Sequence, residues 1–175
     1  LGENVLIFGD YDVDGILSIV ILSKALNSLG AKADYYIPAR LKEGYGIKEH
    51  HINIALEKKA NLVISVDCGI KAIKFAERAK EQGIDVVITD HHLPGDSLPD
   101  VLAVLNPLIS GSEYPDRDLT GIGVVYKLIQ ALFDEKRSLG LPHYLKLVSI
   151  GTIADIGALR GENRLFVKFG LRELE

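Results

Sequence analysis

The sequence has very little cysteine and no methionine or tryptophan. Its 175 residues include one cysteine, Cys68, so no disulfide can form within the chain. This excludes the small secreted domains that depend on disulfides, and it is what a reducing compartment permits. No apolar run approaches the roughly 20 residues of a membrane span, and the first residues lack the basic start of a signal peptide. We therefore expect a cytoplasmic protein with no membrane association.

The absence of methionine also bears on the extent of the chain. Because there is no initiator and the first apolar run starts at Val5, we expect an excerpt or a processed part of a longer protein. Hydrophobic residues make up 47% and charged residues 25%, as in an ordinary globular domain with one core. The net charge of -4 is unusual for a free-standing nucleic-acid-binding protein. Bound metal ions would offset part of that charge.

Short apolar runs alternate with amphipathic stretches along most of the sequence. The apolar runs, bounded by Gly, Pro or Asp, predict buried parallel strands, and the amphipathic stretches predict helices. The predicted strands cover 5–8, 34–37, 62–66, 86–89 and 101–105, and the predicted helices cover 15–29, 47–58, 70–81, 123–136, 142–153 and 163–174. The segment 40–46 is predicted to be a loop. We thus expect an α/β fold with a mostly parallel sheet flanked by helices and a helical C-terminal third.

Three of the apolar runs end directly before a carboxylate. Because the carboxyl ends of parallel strands meet at one edge of an open sheet, side chains that follow them should converge. Carboxylate oxygens with one or two imidazoles are the ligand set of hard divalent ions. A carboxylate on a central strand is well placed to bridge two such ions. The side chains in question are Asp10, Asp12, Asp14, Asp67, His91 and His92.

Some of these patterns have less specific explanations. The segment 10–15 matches the first half of a calcium-binding loop, but the twelfth position is Ile21 instead of a bidentate glutamate. One aspartate there could simply cap the helix that follows. Asp155, in an apolar stretch, would be unfavourable to bury unless it binds a metal or pairs with Arg160 or Arg164.

Two further groups are expected to lie outside any site. We interpret Cys68 as a packed thiol, because its neighbours in the sequence are hard oxygen ligands. The pair His50-His51 is predicted to lie on a solvated helix surface.

Taken together, the motifs resemble the DHH phosphoesterase superfamily, which is named for the triplet found here at 90–92. Within it, the sequence is most similar to the RecJ family of exonucleases. The resemblance is carried by segments 9–15, 43–46, 66–69, 89–92, 119–124, 151–155 and 161–164. It implies a DHH catalytic domain over residues 1–175, without the second, DHH-associated domain that these enzymes usually carry.

The resemblance also implies roles for individual residues. Two Mn²⁺ or Mg²⁺ ions are expected. Asp12 and Asp67 would hold one of them, with Asp10 partly replacing a histidine that many members have where this chain has Phe8. The other ion would be held by Asp14, Asp67, His91 and Asp155. The catalytic residues would be His92, Asp67 and Asp10, with His92 contacting the scissile phosphate or assisting the leaving group.

Candidate substrate contacts lie in two segments beside the acidic motifs. Arg40, Arg160 and Arg164 could contact backbone phosphates, and Tyr45 could stack on a base. The resemblance implies 5′ to 3′ digestion of single-stranded DNA to 5′-mononucleotides in DNA repair and recombination, with a single-strand-binding protein and a helicase as partners. Two alternatives stay open. One is another DHH phosphoesterase, acting on oligoribonucleotides, cyclic dinucleotides or pyrophosphate, and the other is a catalytically silent replication scaffold.

Overall fold

The computed structural model of the chain describes residues 2–135 and 143–174. Within these residues the secondary structure consists of five strands, seven α-helices and one 3₁₀ turn. The strands are β1 (Asn4–Gly9), β2 (Lys32–Tyr36), β3 (Leu62–Val66), β4 (Asp85–Thr89) and β5 (Ala103–Leu105). The helices are α1 (Val13–Ser28), α2 (Arg40–Glu43), α3 (Ile52–Glu57), α4 (Ile73–Glu81), α5 (Gly121–Glu135), α6 (Leu145–Ala154) and α7 (Gly161–Arg172), and the 3₁₀ turn is Glu49–His51.

The five strands form one sheet in the order β2-β1-β3-β4-β5, and every neighbouring pair is parallel. The α/β fold class predicted from the sequence is therefore confirmed. The chain runs outward from β1 to β2 and then returns to place β3 on the other side of β1. In open α/β sheets, ligands bind beyond the carboxyl ends of the strands at such a reversal.

The core lies on both faces of the sheet because successive strand residues point to opposite sides. In β1, Val5 and Ile7 pack with α1, α5 and α6, whereas Leu6 and Phe8 pack with α3 and α4. Both faces are thus covered, which explains why the central strands are continuous apolar runs instead of alternating ones.

Several element boundaries differ from the sequence-based prediction. The predicted loop at 40–46 begins with the short helix α2, because the Glu43 carboxylate accepts the Ala39 N–H at 2.7 Å and closes a helical turn. Helix α4 begins at Ile73 instead of residue 70, because the preceding residues form a tighter turn in which the Ala72 N–H binds the Gly69 carbonyl at 2.9 Å.

The remaining differences are smaller. A 3₁₀ turn precedes α3 where one continuous helix was predicted, and β5 has three residues instead of five. The predicted helix end at Lys136 and helix start at Pro142 lie outside the described residues. Among the helices described, none is both long enough and apolar enough to cross a membrane.

The packing of α1 against the sheet gives a direct stability test. Leu22 is 0% exposed and Leu41, on α2, is 99% exposed. We expect Leu22→Ala to lower the free energy of unfolding by about 2–5 kcal/mol, because it leaves a cavity in the core. The same substitution at Leu41 should change it by less than about 0.5 kcal/mol. Urea unfolding of the two variants measures the difference, and equal losses would contradict the described packing.

Candidate metal centre

The ends of three strands bring the acidic motifs together. Gly9, Val66 and Thr89 are paired across β1, β3 and β4. The next residues in the chain, Asp10, Asp67 and Asp90, therefore leave the sheet at the same edge, and all three are buried. The parallel register itself thus concentrates carboxylates at one point.

Asp67 occupies the middle of this edge in an unusual backbone conformation. Its φ is 58°, in the left-handed region that residues other than glycine adopt at a cost. A Cβ on Gly121 would lie 2.5 Å from Asp67 Oδ1, so only glycine allows the start of α5 to approach this carboxylate. The surrounding structure holds Asp67 in place against both strain and crowding. Such strain is found most often at functional sites.

Asp14 is fixed from the opposite side by the N-terminus of α5. Its two carboxylate oxygens accept the N–H groups of Gly121 at 2.8 Å and Ile122 at 2.7 Å. The free N–H groups and the dipole of a helix N-terminus stabilise a negative charge there. These hydrogen bonds hold the buried carboxylate of Asp14 close to that of Asp67.

His91 and Asp155 complete this group. His91 Nε2 lies 3.1 Å from Asp67 Oδ1 and 3.9 Å from both Asp14 Oδ2 and Asp155 Oδ2. Although they are close, Asp67 Oδ1 and His91 Nε2 have no hydrogen-bond partner of suitable geometry among the described residues. Two buried electron-pair donors that face each other in this way fit a shared cation. This chain therefore has the donors for a divalent metal ion at this point.

A second group of possible ligands lies beside the first. Asp10, Asp12 and Asp67 each offer an oxygen within 4.8 Å of the others. Asp12 also caps α1, because its Oδ1 accepts the Gly15 N–H at 2.9 Å. The capping explanation is thus correct for this one residue, but it does not account for Asp10 or Asp14. Phe8 occupies the position at which the family resemblance would place a histidine ligand. Its ring packs against the rings of Tyr36 and His51.

The electrostatics of these carboxylates also favour a cation. Burial raises the pKa of Asp14 well above its usual value, and the neighbouring Asp67 raises it further. Burial, together with the charge of Asp12, raises the pKa of Asp67 to about 9. Burial likewise raises the pKa values of Asp10 and Asp155. A bound divalent ion would reverse these shifts, because it stabilises the ionised form of each carboxylate.

Asp90 and His92 form a separate pair at the edge of the cluster. His92 Nδ1 donates to Asp90 Oδ1 at 2.7 Å, and this hydrogen bond raises the pKa of His92. Burial favours a higher pKa for Asp90, but hydrogen bonds from His92 and the Ile70 N–H outweigh it and lower the pKa. Asp90, for which the sequence predicted no role, thus holds Nδ1 of His92 and leaves Nε2 facing the Tyr45 hydroxyl.

The predicted substrate-binding residues fall into two groups. The Tyr45 hydroxyl lies 3.0 Å from His92 Nε2, and the Arg40 guanidinium lies 4.8 Å from the centre of the Tyr11 ring, so both are near the cluster. Arg160 pairs with Asp118, and Arg164 is exposed on the first turn of α7. The alternative that Asp155 pairs with Arg160 or Arg164 is therefore wrong, because Arg160 pairs with Asp118 and, among the described residues, Asp155 forms no ion pair with Arg164.

A buried cluster holds the segment that carries Arg40 and Tyr45. Glu43 Oε2 accepts hydrogen bonds from the Tyr36 hydroxyl at 2.8 Å and from His51 Nε2 at 3.0 Å. The prediction of a solvated surface for His51 is wrong, since its side chain is 1% exposed, while His50 is exposed. The helical spacing of the sequence did not show that Glu43, eight residues earlier, provides a partner inside the fold. Cys68 is buried next to the Phe8 carbonyl, as expected for a packed thiol.

Comparison with known proteins identifies the family. The model of the DHH family, N-terminal domain, matches residues 4–152. The chain belongs to the DHH family. This DHH domain is 47% identical over 173 residues to the single-stranded-DNA-specific exonuclease RecJ of Bacillus subtilis, covering 98% of the chain and 21% of that relative. It is 36% identical over 186 residues to RecJ of Escherichia coli, covering 99% of the chain and 32% of that relative.

Solved structures agree with this assignment. An exonuclease RecJ bound to manganese superposes with a TM-score of 0.88 at 39% identity, over 98% of this DHH domain and 43% of that chain. RecJ from Thermus thermophilus in complex with Mn²⁺ gives a TM-score of 0.83 at 35% identity, over 98% and 24%. The fold described above is therefore that of the RecJ DHH domain. The chain spans only about a fifth to a third of the curated relatives named above.

The buried histidine gives a pH prediction. Burial lowers the pKa of His51, although Glu43 opposes the shift. As the pH falls below about 6.5, His51 in the unfolded chain binds a proton before His51 in the folded chain does, so folding stability is lost. We expect His51→Gln to flatten the loss of unfolding free energy between pH 7 and pH 5.

Urea unfolding at several pH values tests this expectation. The variant should also be less stable at pH 7, by about 1–3 kcal/mol, because a buried hydrogen-bond network is disturbed. His50→Gln, at the exposed neighbouring position, is the matched control and should keep the parent slope. A parent-like slope in His51→Gln would show that His51 does not titrate in this way.

Proposed function

We propose that this DHH domain is the catalytic part of a metal-dependent phosphodiesterase, a 5′ to 3′ exonuclease that releases 5′-mononucleotides from single-stranded DNA in repair and recombination. The observation that carries the proposal is the pair of unpartnered donors, Asp67 Oδ1 and His91 Nε2, 3.1 Å apart among buried carboxylates. The relatives named single-stranded-DNA-specific exonucleases support the substrate. The manganese-bound RecJ structures support the metal.

The ligand groups would divide between two ions, with Asp67 belonging to both groups. Asp12 and Asp67, assisted by Asp10, would hold one ion, and Asp14, His91 and Asp155 would hold the other together with Asp67. When bound, Mn²⁺ or Mg²⁺ at this point supplies Lewis acidity to the phosphoryl group and makes a coordinated water more acidic. The catalytic part of Asp67 would be to supply carboxylate oxygens to both groups of ligands.

His92 is placed to act on the leaving group. Hydrolysis forms a bond from the water oxygen to phosphorus and breaks the bond from phosphorus to the 3′ oxygen, which then needs a proton. Asp90 fixes Nδ1 of His92, and the side chain is 42% exposed, so Nε2 can reach a bound phosphate. A charged imidazole there would bind the phosphate and donate that proton. Tyr45 would have to give up its contact with Nε2 when the substrate binds.

The basic and aromatic residues would guide the strand. Arg40 would contact phosphate next to the metal centre, and Tyr45 would stack on a base when it moves from His92. Arg160 and Arg164 would contact phosphates further along the strand, and Arg160 would exchange Asp118 for the nucleic acid. With a net charge of -4, this domain relies on the metal ions and on these few arginines to attract a polyanion.

The wider setting of the enzyme is also part of the proposal. The activity belongs to a longer protein in which a DHH-associated domain supplies the rest of the DNA-binding surface. We place it in the cytoplasm, with a single-strand-binding protein and a helicase as partners, because an enzyme that digests single strands needs a source of them. The site gives no support to the alternative of a catalytically silent scaffold. Such a protein would have no use for buried ligand atoms that lack a hydrogen-bond partner among the described residues, as Asp67 Oδ1 and His91 Nε2 do.

Cleavage of a 3′-labelled, 5′-phosphorylated single strand by the full natural protein tests the proposal. We expect mononucleotide release that requires Mn²⁺ or Mg²⁺ and exceeds release from duplex DNA or RNA. Asp67→Asn should lower the rate at least about 100-fold, because it removes a charge shared by both ions. It should also abolish the rise in melting temperature that Mn²⁺ produces in the parent protein.

Asp100→Asn is the matched control. Asp100 is exposed, pairs with Lys80 away from the cluster, and should keep full activity. Metal-independent cleavage, or unchanged activity and metal binding in Asp67→Asn, would refute the proposed site. Cleavage confined to RNA or cyclic dinucleotides would move the protein to another activity of the superfamily.

A further inference from the structure

Within residues 2–135 and 143–174, four helices end in the same hydrogen-bonded arrangement. Helices α1, α3, α4 and α6 each finish with a residue in the left-handed conformation, stabilised by two backbone hydrogen bonds to the last turn. In α6 the Ile156 N–H binds the Ile153 carbonyl at 3.1 Å, and the Gly157 N–H binds the Thr152 carbonyl at 3.0 Å. This is the Schellman arrangement, whose left-handed position usually holds glycine.

Two of the four ends have glycine at that position and two do not. Gly30, after α1, has a φ of 84°, and Gly83, after α4, has a φ of 68°. Lys59, after α3, has a φ of 51°, and Ile156, after α6, has a φ of 57°. The positive charge of Lys59 is favourable beside the carbonyls of a helix C-terminus. No such electrostatic gain exists for an isoleucine.

The fold gives Ile156 no compensation for its backbone strain. A β-branched residue in the left-handed region is an outlier, because its Cβ crowds the backbone. Burial of the side chain would offset this, but Ile156 is 90% exposed. Glycine or asparagine would end the helix at lower cost. The residue type is therefore explained neither by the helix end nor by the core, and strained residues of this kind concentrate at functional sites.

The position of Ile156 indicates what it contacts. It follows Asp155, whose Oδ2 lies 3.9 Å from His91 Nε2, so it stands one residue from the metal centre. Two other exposed aliphatic residues are sequence neighbours of the cluster: Val13 lies between Asp12 and Asp14, and Leu93 follows His92. An exposed aliphatic side chain next in sequence to a polar centre suits a phosphate flanked by groups with apolar faces, as in a nucleotide.

We infer that Ile156 is a substrate-contacting residue, whose side chain packs against the sugar or base face of the nucleotide that carries the scissile phosphate. This inference rests on the proposed function and adds a binding role for a residue with no polar chemistry. Burying an aliphatic side chain against the nucleotide gives the strained residue the compensation that it lacks in the free protein. The rigid helix end holds the side chain ready for that contact.

The test compares stability and kinetics in the full natural protein. Ile156→Gly should raise the melting temperature by about 2–4 °C, because it relieves the strain. It should raise KM for single-stranded DNA about tenfold, with kcat within about twofold of the parent, because an apolar binding contact is lost. Ile156→Leu retains an aliphatic side chain and should keep KM close to that of the parent.

Lys59→Gly is the matched control, since Lys59 occupies the same left-handed position at the end of α3, far from the carboxyl edge of the sheet. It should be as stable as or more stable than the parent, with unchanged KM. An unchanged KM in Ile156→Gly would overturn the inference while leaving the proposed function intact. A lower melting temperature in Ile156→Gly would also overturn it, by showing that Ile156 packs against another part of the protein. Absence of cleavage by the parent would refute both.

Discussion

The mutual repulsion of buried carboxylates is the constraint on which the rest of the structure depends. Asp14 and Asp67 are almost fully buried, and Asp10, Asp12 and Asp155 lie within reach of them. Each such charge in a low-dielectric interior destabilises the others unless a cation or hydrogen-bond donors compensate it. Backbone N–H groups bind Asp14 and Asp90, whereas Asp67 Oδ1 and His91 Nε2 have no hydrogen-bond partner in the part of the chain that the structure describes. A divalent cation is the compensation that fits this arrangement.

The fold is organised to maintain that arrangement. Parallel register between β1, β3 and β4 places their following residues at one edge, and helices on both faces keep the edge rigid. The N-terminus of α5 approaches closely enough to hold Asp14, which requires glycine at position 121. Behind the site, the Glu43 and His51 cluster fixes the segment that presents Tyr45 to His92. Left-handed residues other than glycine occur at the site, at Asp67 and next to Asp155 at Ile156, and also at Lys59, at the distant end of α3.

The sequence alone predicts the sheet and the convergence of the acids, because both follow from local patterns. Apolar runs that end in Asp10 or Asp67 carry the signals for a strand, its end and a candidate ligand in one segment. The burial of His51 could not be predicted, since helical spacing places it at the surface and its partner Glu43 lies on another element. The role of Asp90 also depends on contacts between chain segments, with the Ile70 N–H and His92. The left-handed backbone of Ile156 has no sequence signal, because glycine is the residue that usually marks that conformation.

Locating the metal ion is the most direct test of the proposed metal centre. Crystals of the protein grown with Mn²⁺ and measured at the manganese absorption edge would show each ion as an anomalous peak. We expect a peak about 2.0–2.6 Å from both Asp67 Oδ1 and His91 Nε2, with Asp14 and Asp155 around it. A strong peak only elsewhere, for example beside Glu43, His50 and His51, would contradict it. So would a direct hydrogen bond between Asp67 and His91 in place of the ion.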